Sequence, residues 1–245
     1  MFTKLLSVSV GLILSVAGVA SGADNMPTKF TVRIENITKP DAFTSSTGVK
    51  WSLGFSPGVA VVHTDKGPIF TAGKKDRGKG LEAQSEDGDP SMLAKSLEGA
   101  KGIKSVAVFN TPVGASSPGP ITPGTAYEVT ISGMPGDRFS LTTMMGQSND
   151  WFYGPAESGI ALFKDGKPIS GDVTSQIVLW DAGTEVNQEP GIGPDQGPRQ
   201  KAPNSGEAEN GVVRNAKDVK YGSAYTKVSS VMRVTIKPTQ VPGAN

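Results

Sequence analysis

The sequence predicts an all-β fold, an antiparallel β-sandwich with one short helix. Three observations predict it. Short runs of alternating or continuous apolar residues recur between Lys29 and Lys237 at irregular spacing. Turn residues separate them: the 31 glycines and 18 prolines make up about a fifth of the chain, above the usual combined share of roughly 12%. Only the stretch beginning at Asp89-Pro90 carries the start, periodicity and stop signals of a confident helix. Many strands, many turns and no internal repeat imply sheets packed face to face.

The chain opens with Lys4 ahead of an uncharged apolar run from Leu5 to Val19 and the small residues Ser21-Gly22-Ala23. Residues 1–23 therefore read as a secretory signal, with Gly18-Val19-Ala20 as an alternative cleavage site. The competing reading is an uncleaved anchor, for which the run is short. Residues 24–245 are expected to form one sandwich domain, exported to the periplasm, the cell envelope or the medium, with no transmembrane segment after cleavage. There is no cysteine, so the exported chain depends on its core, and on any bound ion, rather than on disulfides. A formal net charge of +1 gives no overall bias toward nucleic acid.

The elements follow in order. Lys29 to Asn36 alternates Phe30, Val32 and Ile34 against Thr31, Arg33 and Glu35, a half-buried strand. Asn36-Ile37-Thr38 matches the glycosylation pattern, which has meaning only in a eukaryotic secretory path. Trp51 to Gly58 reads as turn-rich and Val59 to His63 as a buried strand. Asp89 is expected as N-cap with Pro90 at the first helical position, Leu93 and Leu97 on one face, and Gly99 at the end. Strands are expected at Lys104–Phe109, Ala126–Ser132 and Phe139–Met145, the last two joined by the turn Met134-Pro135-Gly136-Asp137. Further strands are expected at Gly159–Phe163, Gln176–Trp180 and Val228–Lys237. Residues 186–210 are polar and unpatterned, which reads as a functional or mobile loop.

Two acidic segments at strand ends carry the candidate chemistry. Asp150 follows the strand ending at Met145, and Asp181 follows Gln176 to Trp180, with Glu185 four residues further on. Two acids in a non-helical loop can converge with a third from another strand end, and calcium takes six to eight oxygen ligands from such loops. The set lacks His and Cys, which argues against zinc or copper. The competing reading is ordinary turn chemistry, since Asp-Ala-Gly is common in turns. A glycosidase acid/base pair is a further alternative that needs a cleft. Trp151, Phe152 and Tyr153 read as core packing in preference to a sugar platform or a membrane-inserting tip. Gly73 to Gly80 nearly matches a phosphate-binding loop, but Gly80 stands where the magnesium-holding Ser or Thr belongs, so a solvated basic loop is expected. His63, the only histidine, is expected to be a polar residue at a strand end.

The segments Ser148-Asn149-Asp150-Trp151-Phe152-Tyr153-Gly154 and Ile177-Val178-Leu179-Trp180-Asp181-Ala182-Gly183-Thr184-Glu185, with the turn Pro135-Gly136, resemble the spondin N-terminal domain family. The resemblance runs over most of residues 28–237 and is most specific at the acidic block. It implies an antiparallel sandwich that is a variant of the calcium- and lipid-binding "C-two" domain. It also implies Ca2+ held by Asp150, Asp181 and Glu185, the last standing where the animal proteins have Asp. The animal members also use disulfides and sit among repeat modules, both of which this chain lacks. The expected function is a secreted, non-catalytic calcium-binding module for cell-surface or extracellular adhesion, with a surface, matrix or glycan partner. The alternatives are a secreted hydrolase acting on polysaccharide or lipid, and a purely structural envelope protein.

Overall fold

The computed structural model describes residues 26–239. The expected signal segment, residues 1–23, lies outside them. Eight strands of five or more residues and two short helices run in the order β1 (Thr28–Asn36), β2 (Phe55–His63), α1 (Leu81–Glu86), α2 (Ser91–Leu97), β3 (Ile103–Phe109), β4 (Ala126–Gly133), β5 (Arg138–Met145), β6 (Trp151–Pro155), β7 (Ile177–Asp181) and β8 (Met232–Pro238). All strand pairs among the described residues are antiparallel, as expected.

They form two principal sheets. In the smaller, β1 lies between β8 and β4, and the short strand Gly171–Asp172 adds to the far side of β8. Val32 stands opposite Ile236 on one side and Val129 on the other, so the apolar sets of three strands fall on one face. The larger sheet runs Arg214–Asn215, β7, β6, β5, β2, β3, with Ile160–Ala161 beside β5. Phe30, Val32 and Ile34 of the smaller sheet share a core with Ala60, Val62, Leu141, Tyr153 and Leu179 of the larger. Burial of this order, about 1.5–3 kcal/mol for each large side chain, is the main force holding the fold.

The larger sheet is covered on its other face as well. Leu81, Leu93 and Leu97 of the helices pack with Val59, Val61, Phe70, Phe152 and Trp180. Double burial explains why β2 and β6 are buried along almost their whole length instead of at alternate positions. Trp151, Phe152 and Tyr153 are fully buried, which is the core reading.

Three elements differ from expectation. β2 begins at Phe55, ahead of the expected start, because a bulge between Phe55 and Gly58 carries Pro57 through the ladder. Gly58 is needed there: a Cβ would lie 2.0 Å from the Thr142 carbonyl oxygen. A second helix, α1, precedes the expected one; its buried Gln84, Ser85 and Glu86 hid it from an apolar-periodicity reading. α2 starts at Ser91, with Pro90 as N-cap, and Asp89 accepts from the Ser91 N–H at 2.9 Å.

Residues 186–200 are anchored by polar contacts. Gln196 is fully buried, its amide donating to the Glu189 carbonyl at 2.9 Å and its Oε1 accepting from Gly191 N–H at 3.1 Å. Arg199 donates to the Gly193 carbonyl and to Gln147 Oε1. The anchoring is polar, so it left no apolar pattern in the sequence.

Candidate metal centre

β7 delivers Asp181 as its last residue, paired with Trp151, the first residue of β6. Asp150 stands just before Trp151, and its backbone carbonyl accepts from Ala182 N–H at 3.1 Å. The two acids are thus neighbours across one antiparallel pair. Both are fully buried.

Each aspartate has one oxygen held by the protein and one without a hydrogen-bond donor among the described residues. Asp150 Oδ2 accepts from Thr184 N–H at 2.8 Å, Glu185 N–H at 3.2 Å and Thr184 Oγ1 at 3.3 Å, while Oδ1 has no donor. Asp181 Oδ2 accepts from Asn187 Nδ2 at 2.6 Å and Trp151 Nε1 at 3.1 Å, while Oδ1 has no hydrogen-bond donor. Buried polar atoms are normally partnered, so such orphans require an explanation.

The third member of the group is Glu209. Asp150, Asp181 and Glu209 each offer a carboxylate oxygen, and the three oxygens lie within 4.8 Å of one another. Glu209 Oε2 and Asn187 Oδ1 also lack donors. A set of carboxylate and amide oxygens is the donor chemistry a hard divalent cation takes. The residues present therefore fit such an ion, with Asp150, Asp181 and Glu209 as the charged donors.

Glu185, expected as the third ligand, is directed elsewhere. It forms an antiparallel bridge with Ala208, and Glu209 N–H donates to the Thr184 carbonyl at 2.9 Å. Side chains alternate along extended segments. Thr184 and Glu209 therefore face Asp150, whereas Glu185 faces away. Its Oε1 accepts from Asn149 Nδ2 at 2.8 Å and sits against Gly206, where a Cβ would come within 1.9 Å of it.

Burial raises both aspartates. Asp150 is pushed well above the usual carboxylate range, further by the charge of Asp181, against the pull of the Thr184 and Glu185 N–H groups. Asp181 is raised by burial and pulled back by Asn187 and Arg214. Glu86 and Glu185 are each pushed to about 7, chiefly by burial. Arg214, opposite Asp181 in the ladder, is the nearest counter-charge: its Nε lies 3.3 Å from Asp181 Oδ1 and its Nη2 contacts Glu209. Burial works against its charge, but Glu209 and Asp181 hold it protonated.

The sequence reading missed Glu209, Arg214 and Asn187. No local signal marked them: residues 207–211 run extended against residues 183–186 and lead directly into Arg214, opposite Asp181.

His63 is fully buried at a strand end, Nε2 2.9 Å from Ser140 Oγ and Nδ1 2.7 Å from the Asp65 carbonyl. The Asp65 carbonyl can only accept, so Nδ1 donates and Nε2 accepts from Ser140. In the Gly73–Gly80 loop the Arg77 guanidinium is held by the Gly67 carbonyl and Thr71 Oγ1. A cleft of about 560 Å³, lined by Pro40, Leu53, Phe55, Asp87, Met144 and Pro198 among others, opens beside the acid-bearing loops without Asp150 or Asp181 in its wall. No helix among the described residues is long and apolar enough to cross a membrane.

No protein-family model matches the chain, and no curated protein matches it in sequence.

Proposed function

We propose that this chain is an exported, non-catalytic β-sandwich module of the spondin N-terminal kind that binds calcium and acts by contact with a surface, matrix or glycan partner. The observation that carries the calcium reading is a pair of buried oxygens: two fully buried aspartates, each fixed through Oδ2 with Oδ1 lacking a hydrogen-bond donor, that of Asp181 meeting only the Arg214 charge, lie with a third carboxylate within 4.8 Å. Three carboxylates so close repel one another, and a divalent cation removes that repulsion. Oxygen-only donors favour calcium over zinc or copper. Magnesium demands tighter octahedral geometry, which favours calcium again.

The non-catalytic reading draws support from the burial of both aspartates. A hydrolase using them as an acid/base pair needs a cleft that admits substrate and water, and the 560 Å³ cleft nearby is walled by other residues. The adhesion role rests on the resemblance of the two acidic segments to the family.

The test is isothermal titration with calcium and with magnesium, together with melting curves in chelator and in millimolar calcium. Wild type is expected to bind one calcium ion per chain in the range of about 10⁻⁴–10⁻³ M, common for extracellular modules, and to melt higher with calcium. Asp181→Asn is expected to lose both effects. Superimposable wild-type curves and no titration heat would reject the site.

A further inference from the structure

We propose that Arg214 is a tethered cation that occupies the acid cluster when no ion is bound, and that its guanidinium must leave before the ion enters. The inference rests on the metal reading above and concerns how that same site is regulated. Calcium would then bind by exchange, displacing an internal cation instead of filling a waiting cage.

Four observations carry it. First, Arg214 touches two of the three converging carboxylates, Asp181 through Nε at 3.3 Å and Glu209 through Nη2. A guanidinium at that distance from a ligand oxygen stands in the space where a metal ion would be drawn, and the two positive charges repel. Second, the contact with Asp181 is an ion pair without hydrogen-bond geometry: Arg214 Nε has no acceptor and Asp181 Oδ1 has no hydrogen-bond donor among the described residues. The donors that orient Asp181, Trp151 and Asn187, both use Oδ2. At Asp181 the arginine is therefore held by charge more than by fit, its one hydrogen bond in the cluster running from Nη2 to Glu209 Oε1, unlike the forked pairing that makes Arg–carboxylate contacts strong. Third, the Arg214 side chain is 30% exposed while that of Asp181 is 0% exposed, so the guanidinium has a route to solvent and the carboxylate has none. Fourth, the Arg214 backbone is fixed in register opposite Asp181, and Val213 beside it is bonded to Gly73 and Lys74. The exchange then needs only side-chain rotation.

Charge also fits. Fully ionised, Asp150, Asp181 and Glu209 would carry three negative charges against one from Arg214, a surplus that one guanidinium does not neutralise. A divalent ion does better, provided the arginine withdraws.

The experiment compares wild type, Arg214→Gln and Arg214→Lys by calcium titration and by melting in chelator and in calcium. Arg214→Gln is expected to bind calcium at least tenfold more tightly, because the competitor is gone. It is also expected to melt lower than wild type in chelator, because the acids have lost their counter-charge, and to match or exceed wild type at saturating calcium. Arg214→Lys keeps the charge and is expected to fall between. A purely structural arginine differs in calcium, where the melting point stays below wild type and calcium binding is unchanged or weaker; that result overturns the proposal while leaving the metal site standing. If Arg214→Gln fails to fold in chelator, its affinity is read by competing calcium off the loaded protein with a chelator, and Arg214→Lys must still bind more tightly than wild type. No calcium bound to wild type or to either variant overturns the metal reading and this inference with it.

Discussion

The two ends of β5 hold buried polar groups of opposite character. At its first residue, Arg138, β5 lies opposite His63, whose two ring nitrogens both have partners, in Ser140 and the Asp65 carbonyl. Arg138 is matched too, to the carbonyls of Ser158 and Gly159. Even the space is filled, since a Cβ on Gly159 would come within 2.6 Å of His63 Nε2. Past its last residue, Met145, the chain reaches Asp150, where acceptors outnumber donors and orphan oxygens meet. The first cluster is complete within the protein and reads as structure. The second leaves buried carboxylate oxygens without hydrogen-bond donors, a set that a cation from outside could complete.

The largest expected effect tests that contrast directly. Binding confined to the folded state stabilises it by RT ln(1 + [L]/Kd), about 2.7 kcal/mol at a hundredfold excess over Kd. Chemical denaturation of wild type with calcium and with chelator is expected to differ by about that amount, and Asp150→Asn is expected to erase the difference. His63→Leu leaves Ser140 and a buried carbonyl without partners and should cost about 1–3 kcal/mol. Its cost should be the same with and without calcium. A calcium-dependent cost at His63 would dissolve the distinction between the two ends.

The second effect is a pair of opposite pH slopes, read in chelator. Burial pushes Glu86 to about 7, above its ordinary carboxylate value. In the window from about 4.5 to about 7 the folded state then holds the proton more firmly than the unfolded state, so stability falls as pH rises. Glu86→Gln is expected to gain about 2 kcal/mol at pH 8, and the gain should vanish below about pH 4.5. His63 behaves the other way. Burial lowers it, against the hydrogen bond to the Asp65 carbonyl. The unfolded state binds the proton first, so its contribution is intact above about pH 6.5 and is lost as pH falls. Urea titrations at several pH values, with Glu86→Gln and His63→Leu beside wild type, separate the two slopes.

How much of this was legible in the sequence follows from the kind of signal each part leaves. The strands were legible because alternation in β1 and β8 is a direct image of one-sided burial. Asp181 was legible because it closes an apolar strand, and Asp150 because it stands beside the apolar run Trp151–Tyr153; a strand end fixes where a side chain stands. Glu209 was not, because its position comes from the pairing of residues 207–211 with 183–186, a long-range register that no local pattern announces. The same register turned Glu185 away. α1 was hidden because its buried face is partly polar: Gln84 is held by Ser56 Oγ and the Pro57 carbonyl instead of by apolar contacts.

The exchange of Glu185 for Glu209 gives the third effect. Glu209→Gln removes a converging charge and is expected to weaken calcium binding about tenfold, equivalent to about 1.4 kcal/mol. Glu185→Gln should leave the affinity within about threefold, since Glu185 is bonded to Asn149 and faces Gly206. Calcium titration of the two variants decides between them, and the reverse ranking would restore Glu185 as the ligand.

The smallest effect concerns the polar strap that closes over the site. Asn149, one residue before Asp150, accepts from Gln188 N–H at 2.9 Å and from Gln196 Nε2 at 3.4 Å, and donates to Glu185. Gln188 in turn is bonded twice to Asp195. Residues 186–200 are therefore tied to the acid-bearing loop through one amide and two glutamines, whereas residues 201–204 are exposed. Gln196→Ala removes the donor to the Glu189 carbonyl and to Asn149 Oδ1 and one of the two acceptors for Gly191 N–H, the other being the Gln147 carbonyl at 3.3 Å, while every bond to Asp150 and Asp181 stays in place. A single net hydrogen bond contributes about 1 kcal/mol, so global stability should fall by no more than about 1–2 kcal/mol and calcium affinity should change little. Amide exchange is the sharper reading, because local opening is reported residue by residue. In wild type Gln188 and Gly191 should be protected, with exchange across residues 201–204 faster. In Gln196→Ala the protection at Gly191 should fall, leaving only the longer bond to the Gln147 carbonyl, with His63 and its neighbours unaffected. Unprotected amides throughout residues 186–200 of wild type would mean that the strap does not close at all, and that the acid end of the molecule is covered by something other than its own glutamines.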